Sequence, residues 1–151
     1  MSIEARLTEL GITLPSAPAP AANYVPYVQS GNLLFVSGQI SSGPDGLITG
    51  KLGDNVDLAT GQLAARSCGL SLIAQAQAAV GSLDRIKRVV KLTGFVNSTP
   101  DFTDQPKVVN GCSDLFVEVF GDAGRHARAA VSAGSLPLGV AVEIEAIFEI
   151  A

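Results

Sequence analysis

The sequence predicts an α+β domain in which one mixed β-sheet carries two long helices on a single face. Three observations lead to this fold class. Two long segments repeat apolar or small residues every three or four positions, several shorter segments are apolar or alternate, and their order is strand, strand, helix, strand, helix, strand, strand. With 151 residues, 47% of them hydrophobic, the chain can bury one substantial core.

The first 23 residues are predicted to form an N-terminal segment that precedes a single domain over residues 24–151. Apolar side chains share one helical face over residues 2–10, and Gly11 ends this short helix. Residues 15–20, called the arm below, read Pro-Ser-Ala-Pro-Ala-Pro. Proline lacks the N–H donor that helices and sheet ladders use, so the arm is predicted to be extended.

The domain is predicted to open with a hairpin around Ser30-Gly31-Asn32, residues that tolerate the backbone angles of a tight turn. Because both long helices cover one face of the sheet, the other face stays open. That face is not strongly polar, so we expect it to be buried against other subunits. The predicted strands are 24–29, 33–40, 85–96, 128–133 and 140–150, and the predicted helices are 57–80 and 105–120.

The last two strands are predicted to form an antiparallel hairpin that turns within residues 134–139. This pairing would place Arg128 opposite positions 142–148 and therefore near Glu143. A guanidinium can grip a substrate carboxylate at two points, and a nearby glutamate can orient or deprotonate a water. Spacing alone, however, favours the simpler interpretation of Arg128 and Glu143 as an ordinary cross-strand ion pair.

Composition excludes several other classes of function. A formal net charge of -4 opposes nucleic-acid binding, and two cysteines with one histidine supply no metal cluster or catalytic triad. His126 is predicted to be a solvated loop residue. No Gly-rich phosphate loop is present, so nucleotide-dependent chemistry has no support. No segment has the length of a membrane span or the pattern of a signal peptide, which places the chain in the cytoplasm.

From about Tyr24 to its C-terminus the chain resembles the Rid/YjgF family, once labelled L-PSP endoribonucleases. The resemblance depends on several motifs taken together. They are Pro26-Tyr27-Val28-Gln29, Val36-Ser37-Gly38-Gln39-Ile40, Arg128-Ala129-Ala130-Val131, Leu136-Pro137 and Val142-Glu143-Ile144-Glu145-Ala146.

The resemblance implies a fold like that of chorismate mutase of the trimeric type, and a homotrimer with three pockets between subunits. It implies hydrolysis of 2-imino or enamino acids to 2-keto acids and ammonia without a cofactor. In such a pocket Arg128 would hold the carboxylate and Glu143 would position the attacking water. Further substrate-binding residues implied in this way are Tyr27, Ser37, Gly38, Asn110 and the backbone of Ala130.

The chain also departs from the family pattern. Ala129 and Ala130 stand where serine and cysteine are common, residues 103–106 look inserted, and the N-terminal extension and the loop at 42–55 are distinctive. These departures indicate a divergent subgroup of about 150 residues. Two alternatives therefore stay open: a non-catalytic trimer that binds small carboxylates or regulates a partner, and an endoribonuclease, against which the acidic charge and single histidine argue.

Overall fold

The computed structural model describes residues 1–20 and 22–151, and its elements confirm the predicted fold class. In chain order they are α1 (Ile3–Glu9), β1 (Tyr27–Ser30), β2 (Leu33–Ile40), β3 (Ser42–Gly43), β4 (Gly46–Leu47), α2 (Leu58–Val80), β5 (Ile86–Asn97), α3 (Gln105–Phe120), β6 (Ala127–Ala133) and β7 (Val142–Ile150). Strands β3 and β4 form a small separate hairpin. The other five strands form one mixed sheet in the order β1-β2-β7-β5-β6.

The two long helices lie side by side on one face of this sheet, and small residues allow their close approach. Asp57 caps the first turn of α2 by accepting a hydrogen bond from the Thr60 N–H. A side chain on Gly111 of α3 would collide with the backbone of Gln62 on α2. The sheet face beneath them is apolar: alternate residues of β7 from Val142 to Ile150 are all buried there.

The opposite face of the sheet is covered by neither of the two long helices. It carries Glu143, Glu145 and Ile147 of β7, together with large apolar side chains of other strands. Phe35 is 41% exposed and Val131 is 44% exposed. An apolar surface of this kind is a feature of chains that pack against further subunits.

The predicted hairpin between the last two strands is wrong. β6 pairs in parallel with β5, whereas β7 lies between β2 and β5 and is antiparallel to both. The physical reason is the crossover through α3, which returns the chain beside β5 in the parallel direction. β7, whose apolar face is buried along its whole length, then takes the central position. Residues 134–141 carry the chain past β5 rather than turning tightly.

The N-terminal helix α1 packs against the domain. Ser2 caps it, the Ile3 N–H donates to Asp84 Oδ1 at 2.8 Å, and Leu7 is buried in the main core. Among the helices of the described residues, none is long and apolar enough to cross a membrane.

Candidate active site

One row of strand partners shows how far apart two of the predicted site residues lie. Tyr27 pairs with Val36, Val36 with Ala146, Ala146 with Leu92, and Leu92 with Arg128. Tyr27 and Arg128 thus occupy opposite edges of the sheet. Four strand spacings separate them, roughly 19 Å at the usual distance between neighbouring strands.

Glu143 lies on the other face of the sheet from Arg128. It belongs to the row that joins Ile40, Glu143, Phe95 and Val131, and its neighbours Val142 and Ile144 point into the core. The interpretation of Arg128 and Glu143 as a cross-strand ion pair is therefore wrong. Within the described residues, no carboxylate oxygen is recorded within 4.0 Å of the Arg128 guanidinium, so its charge is not neutralised by such a partner.

Glu143 lies beside an irregularity in β2. The pairing of β2 with β7 shifts register between Val36 and Gln39, which marks a bulge at Ser37 and Gly38. A side chain on Gly38 would collide with the Glu143 carboxylate. Ser37 holds the preceding segment in place, because its Oγ donates to the Val25 carbonyl at 2.8 Å. The bulge thus makes room for the carboxylate.

A cavity of about 450 Å³ adjoins this bulge. Glu143 and Gly38 line it together with Gln39 and Gln75, and Pro18 of the arm forms part of another wall. Burial, and next the negative charge of Glu145, raise the pKa of Glu143 above its ordinary value. A carboxylate with a raised pKa is a stronger base than an ordinary one when it is ionised. Gly38 and Glu143, with Ser37 beside them in the bulge, are called the Glu143 half of the site below. Tyr27, which pairs with Val36 and packs against the core, does not line this cavity.

The second group forms around Arg128. Its Nη1 donates to Asn110 Oδ1 at 2.8 Å and to Ser113 Oγ at 3.1 Å, so both partners lie on α3. Ala130, two positions along β6, lies on the same face as Arg128 and is half-buried. Asn110, Arg128 and Ala130 are called the Arg128 half below. The contact of Asn110 with Arg128 is present, although residues 103–106 look inserted in the sequence.

The prediction of a solvated His126 is wrong. The ring is half-buried and edge-on to Phe116, with 6.1 Å between centroids. Its Nδ1 is 2.6 Å from the Gly124 carbonyl oxygen, and its Nε2 is 2.8 Å from Ser113 Oγ. Loop spacing indicated exposure, but the turn before β6 folds back onto α3. Ser113 was missed, although it lies three positions after Asn110 and so shares its helical face.

The fold and these two clusters define a class of small α+β proteins with two separate groups of polar residues on a single sheet. A family model described as YjgF/chorismate mutase-like, putative endoribonuclease matches residues 4–149. The chain belongs to this family, the Rid/YjgF family that its motifs resemble.

Individual relatives agree with this assignment. Protein TCP17 of Trypanosoma cruzi is 54% identical over 98% of this chain and 94% of its own length. A crystal structure of a protein of unknown function from Agrobacterium tumefaciens is 52% identical, covers 99% of this chain and 92% of its own, and has a TM-score of 0.91. A structure from Shewanella oneidensis, described as a putative endoribonuclease, is 35% identical with a TM-score of 0.95, covering 99% and 100%.

Two more distant relatives carry chemical information in their descriptions. A 2-iminobutanoate/2-iminopropanoate deaminase of Dermatophagoides farinae is 29% identical over 90% of this chain and 92% of its own. The crystal structure of E. coli TdcF with bound serine is 28% identical, covers 91% of this chain and 98% of its own, and has a TM-score of 0.64.

Proposed function

We propose that this protein hydrolyses 2-imino or enamino acids to 2-keto acids and ammonia, in pockets shared between the subunits of a homotrimer. The observation that carries the proposal is the separation of the two halves. Arg128 and Glu143 lie on opposite faces of one sheet, on strands that are not neighbours. Within one chain, Arg128 and Glu143 are therefore too far apart to act on the same substrate. Packing one subunit against another can bring Arg128 of one copy close to Glu143 of the next.

The open face of the sheet supports assembly. Val28, Phe35 and Ile147 form one row on it, and Phe95 and Val131 belong to another. Burying these side chains against other copies would stabilise an oligomer by the hydrophobic effect. A closed ring of three copies would bury every such face in an equivalent way and leave three equivalent pockets.

The chemistry follows from the two halves. Arg128 would bind the substrate carboxylate through charge-assisted hydrogen bonds. Glu143 would accept a proton from water while the water oxygen forms a bond to C2 of the imine. The nitrogen takes up the electron pair of the C=N double bond and receives this proton back from Glu143, which gives a carbinolamine. Glu143 then moves the hydroxyl proton of the carbinolamine to the nitrogen, and the carbon–nitrogen bond breaks as the C=O double bond forms, so that ammonia leaves and a keto group remains. An enamine would first gain a proton at carbon and so become the imine.

Further support comes from the relatives. The name of the Dermatophagoides farinae protein assigns it this reaction, and the TdcF structure holds an amino acid, a molecule with the expected carboxylate. Both cysteines of this chain are buried and unpaired, as is usual in the reducing cytoplasm, where we place the reaction.

The experiment is an assay in which an amino-acid oxidase generates imino acids and semicarbazide traps them before they hydrolyse. We expect the protein to lower the yield of semicarbazone, and Arg128→Ala to remove most of this effect. Arg125→Ala is the matched control, because Arg125 is exposed and three positions away. No acceleration with any of several imino acids would contradict the reaction. Carboxylate binding without turnover would identify the non-catalytic alternative instead.

A further inference from the structure

The arm forms a wall of the cavity beside Glu143. Pro18, Ala19 and Pro20 line it, although they precede the sheet by several residues. The main-chain carbonyl of Pro18 accepts a hydrogen bond of 2.6 Å from Gln75 Nε2. Gln75 belongs to α2 and is 1% exposed. The arm is thus tied to the inner layer of the domain.

The other end of the arm is held by α1, whose side chains form hydrogen bonds with main-chain groups of the domain. The Leu83 N–H donates to Glu4 Oε1 at 2.7 Å, and Arg6 Nε donates to the Glu118 carbonyl at 3.0 Å. With α1 on one side and Gln75 on the other, and with prolines that fix their own φ angles, the arm has little freedom. It is a fixed wall of the cavity.

The chemistry of the cavity is mainly apolar. Besides the prolines of the arm, Ile40, Leu47 and Leu138 line it, and Glu143 is the only charged side chain among the described residues that do. A substrate carboxylate placed here would meet a negative charge and no positive one. The cavity is therefore suited to the opposite end of the substrate. Its 450 Å³ lies within the range of about 300–1,000 Å³ typical of sites for larger small molecules.

We propose that this cavity receives the substrate side chain and makes the protein selective for imino acids with long apolar side chains over those with two or three carbons. The proposal rests on the proposed function, in which the carboxylate binds Arg128 of the partner subunit and C2 lies near Glu143. The arm, Leu47 and Leu138 are the specificity-determining walls.

The experiment measures calorimetric binding of straight-chain 2-keto acids from 2-oxobutanoate to 2-oxooctanoate. For the wild-type protein we expect affinity to rise about fourfold for each added methylene, the effect of burying one such group. Leu47→Trp, which narrows the cavity, should abolish this rise for the longer ligands. Leu63→Trp is the matched control, since Leu63 is 63% exposed on α2 and does not line the cavity.

A flat wild-type series would overturn the proposed subsite, and this result does not depend on any variant. Suppose that all the keto acids bound with the same affinity, that Arg128→Ala abolished this binding, and that all the imino acids were hydrolysed at equal rates. The proposed function would then stand without the subsite. If affinity rose along the series but no imino acid were hydrolysed, the subsite would stand and the reaction would fail. A rise that Leu47→Trp left intact would also overturn the assignment of the walls.

A second observation concerns the direction of the hydrogen bonds around Arg128. The Gly124 carbonyl can only accept, so His126 Nδ1 carries the proton that it shares with this oxygen. In the neutral ring Nε2 is then an acceptor, and the Ser113 hydroxyl donates to it. Ser113 Oγ in turn accepts from Arg128 Nη1. Burial and the charge of Arg128 lower the pKa of His126, despite the opposing effect of Gly124, and so favour the neutral ring.

These bonds use one side of the guanidinium. Nη1 has two N–H groups, one directed to Asn110 Oδ1 and the other to Ser113 Oγ. Among the described residues, Nη2 and Nε have no recorded partner. The edge formed by these two nitrogens is a planar fork that fits a carboxylate at two points.

We also infer that Ser113 and His126 are positioning residues that hold Arg128 with its Nε–Nη2 edge free for the carboxylate. Ser113→Ala should raise the KM for an imino acid, and the Kd for a keto acid, about tenfold, the effect of losing one hydrogen bond to a charged group. The kcat should change little. Ser113→Thr, which keeps the hydroxyl, should restore both constants, and His126→Ala should shift them in the same direction by less.

If Ser113 had only a structural role, the Tm of Ser113→Ala would fall but the Kd of the folded protein for a keto acid would not change. An unchanged Kd, or a Kd raised equally in the threonine and alanine variants, would overturn the inference whether or not the protein catalyses hydrolysis.

Discussion

The Glu143 half of the site lines a cavity, whereas the Arg128 half is a set of hydrogen bonds between an edge strand and a helix. In the first, a missing side chain at Gly38 creates the space for a carboxylate. In the second, Asn110 and Ser113 fix a cation by direct contact. Changes in the Glu143 half should therefore act on the chemistry and on the accepted substrate shape, and changes in the Arg128 half should act on carboxylate binding.

The largest effect should come from Glu143→Gln, which removes the base but keeps the shape. We expect kcat to fall by about 10²–10⁴, the usual contribution of general base catalysis, with little change in Kd for a keto acid. Rapid kinetics and calorimetry would check this. Equal losses in kcat and binding would show that Glu143 holds the ligand instead.

Glu143→Gln should also change the thermal stability of the protein. Because the pKa of Glu143 is raised in the fold, this group favours folding below its ordinary pKa of 4.5, and that contribution is lost as pH rises through the folded pKa. At neutral pH, Glu143→Gln should therefore have a Tm equal to or above that of the wild-type protein. A clearly lower Tm at pH 7 would contradict this electrostatic account.

A smaller effect is expected from Gly38→Ala, which places a methyl group against the Glu143 carboxylate. Relief of this overlap should displace the base, reduce kcat about tenfold, and destabilise the fold by about 1–3 kcal/mol. Gly134→Ala is the matched control, because a side chain there meets no atom within 4 Å. If both variants behaved alike in kinetics and denaturant unfolding, the close approach would have no functional role.

In the Arg128 half, Asn110→Ala should affect carboxylate binding alone. Loss of its hydrogen bond to Arg128 should raise KM about tenfold and leave kcat nearly unchanged, because the remaining contact with Ser113 still restrains the guanidinium. Steady-state kinetics would measure both constants. A change in kcat alone would place Asn110 with the chemistry rather than with carboxylate binding.

The smallest effect is expected from Glu145→Gln, which should shift the pH dependence of kcat. Burial is the main cause of the raised pKa of Glu143, and the charge of Glu145 is the second. Glu145→Gln removes the second cause, so the acidic limb of the kcat profile should move to lower pH. An acidic limb that stayed in place would show that a different group controls it.

Local patterns in the sequence predicted most of the fold but not the partners of each strand. The helix at Gln105–Phe120 has its predicted bounds, because apolar spacing within one segment is a local signal. The position of β7 between β2 and β5 depends on the crossover through α3 and on competition for the buried centre of the sheet, and no local pattern shows these.

The same limit applies to the site. Asn110 was placed with Arg128 through family motifs, and the contact exists. Ser113 was missed and His126 was predicted to be solvated, because the two residues meet only when the turn before β6 folds back onto α3, and they are 13 residues apart in the chain. The arm could be predicted to be extended, but its contact with Gln75 spans 57 residues and has no signature in either segment.

The central claim, that each pocket takes Arg128 from one subunit and Glu143 from another, is tested most directly by mixing two inactive variants. Arg128→Ala and Glu143→Gln would be unfolded together at equal concentrations, refolded, and assayed against each variant refolded alone. The account predicts that roughly one quarter of wild-type activity returns. When the two variants assemble at random into a ring, about one pocket in four receives an intact Arg128 from one subunit and an intact Glu143 from its neighbour. No recovery, despite mixed oligomers demonstrated by mass spectrometry, would contradict the shared site.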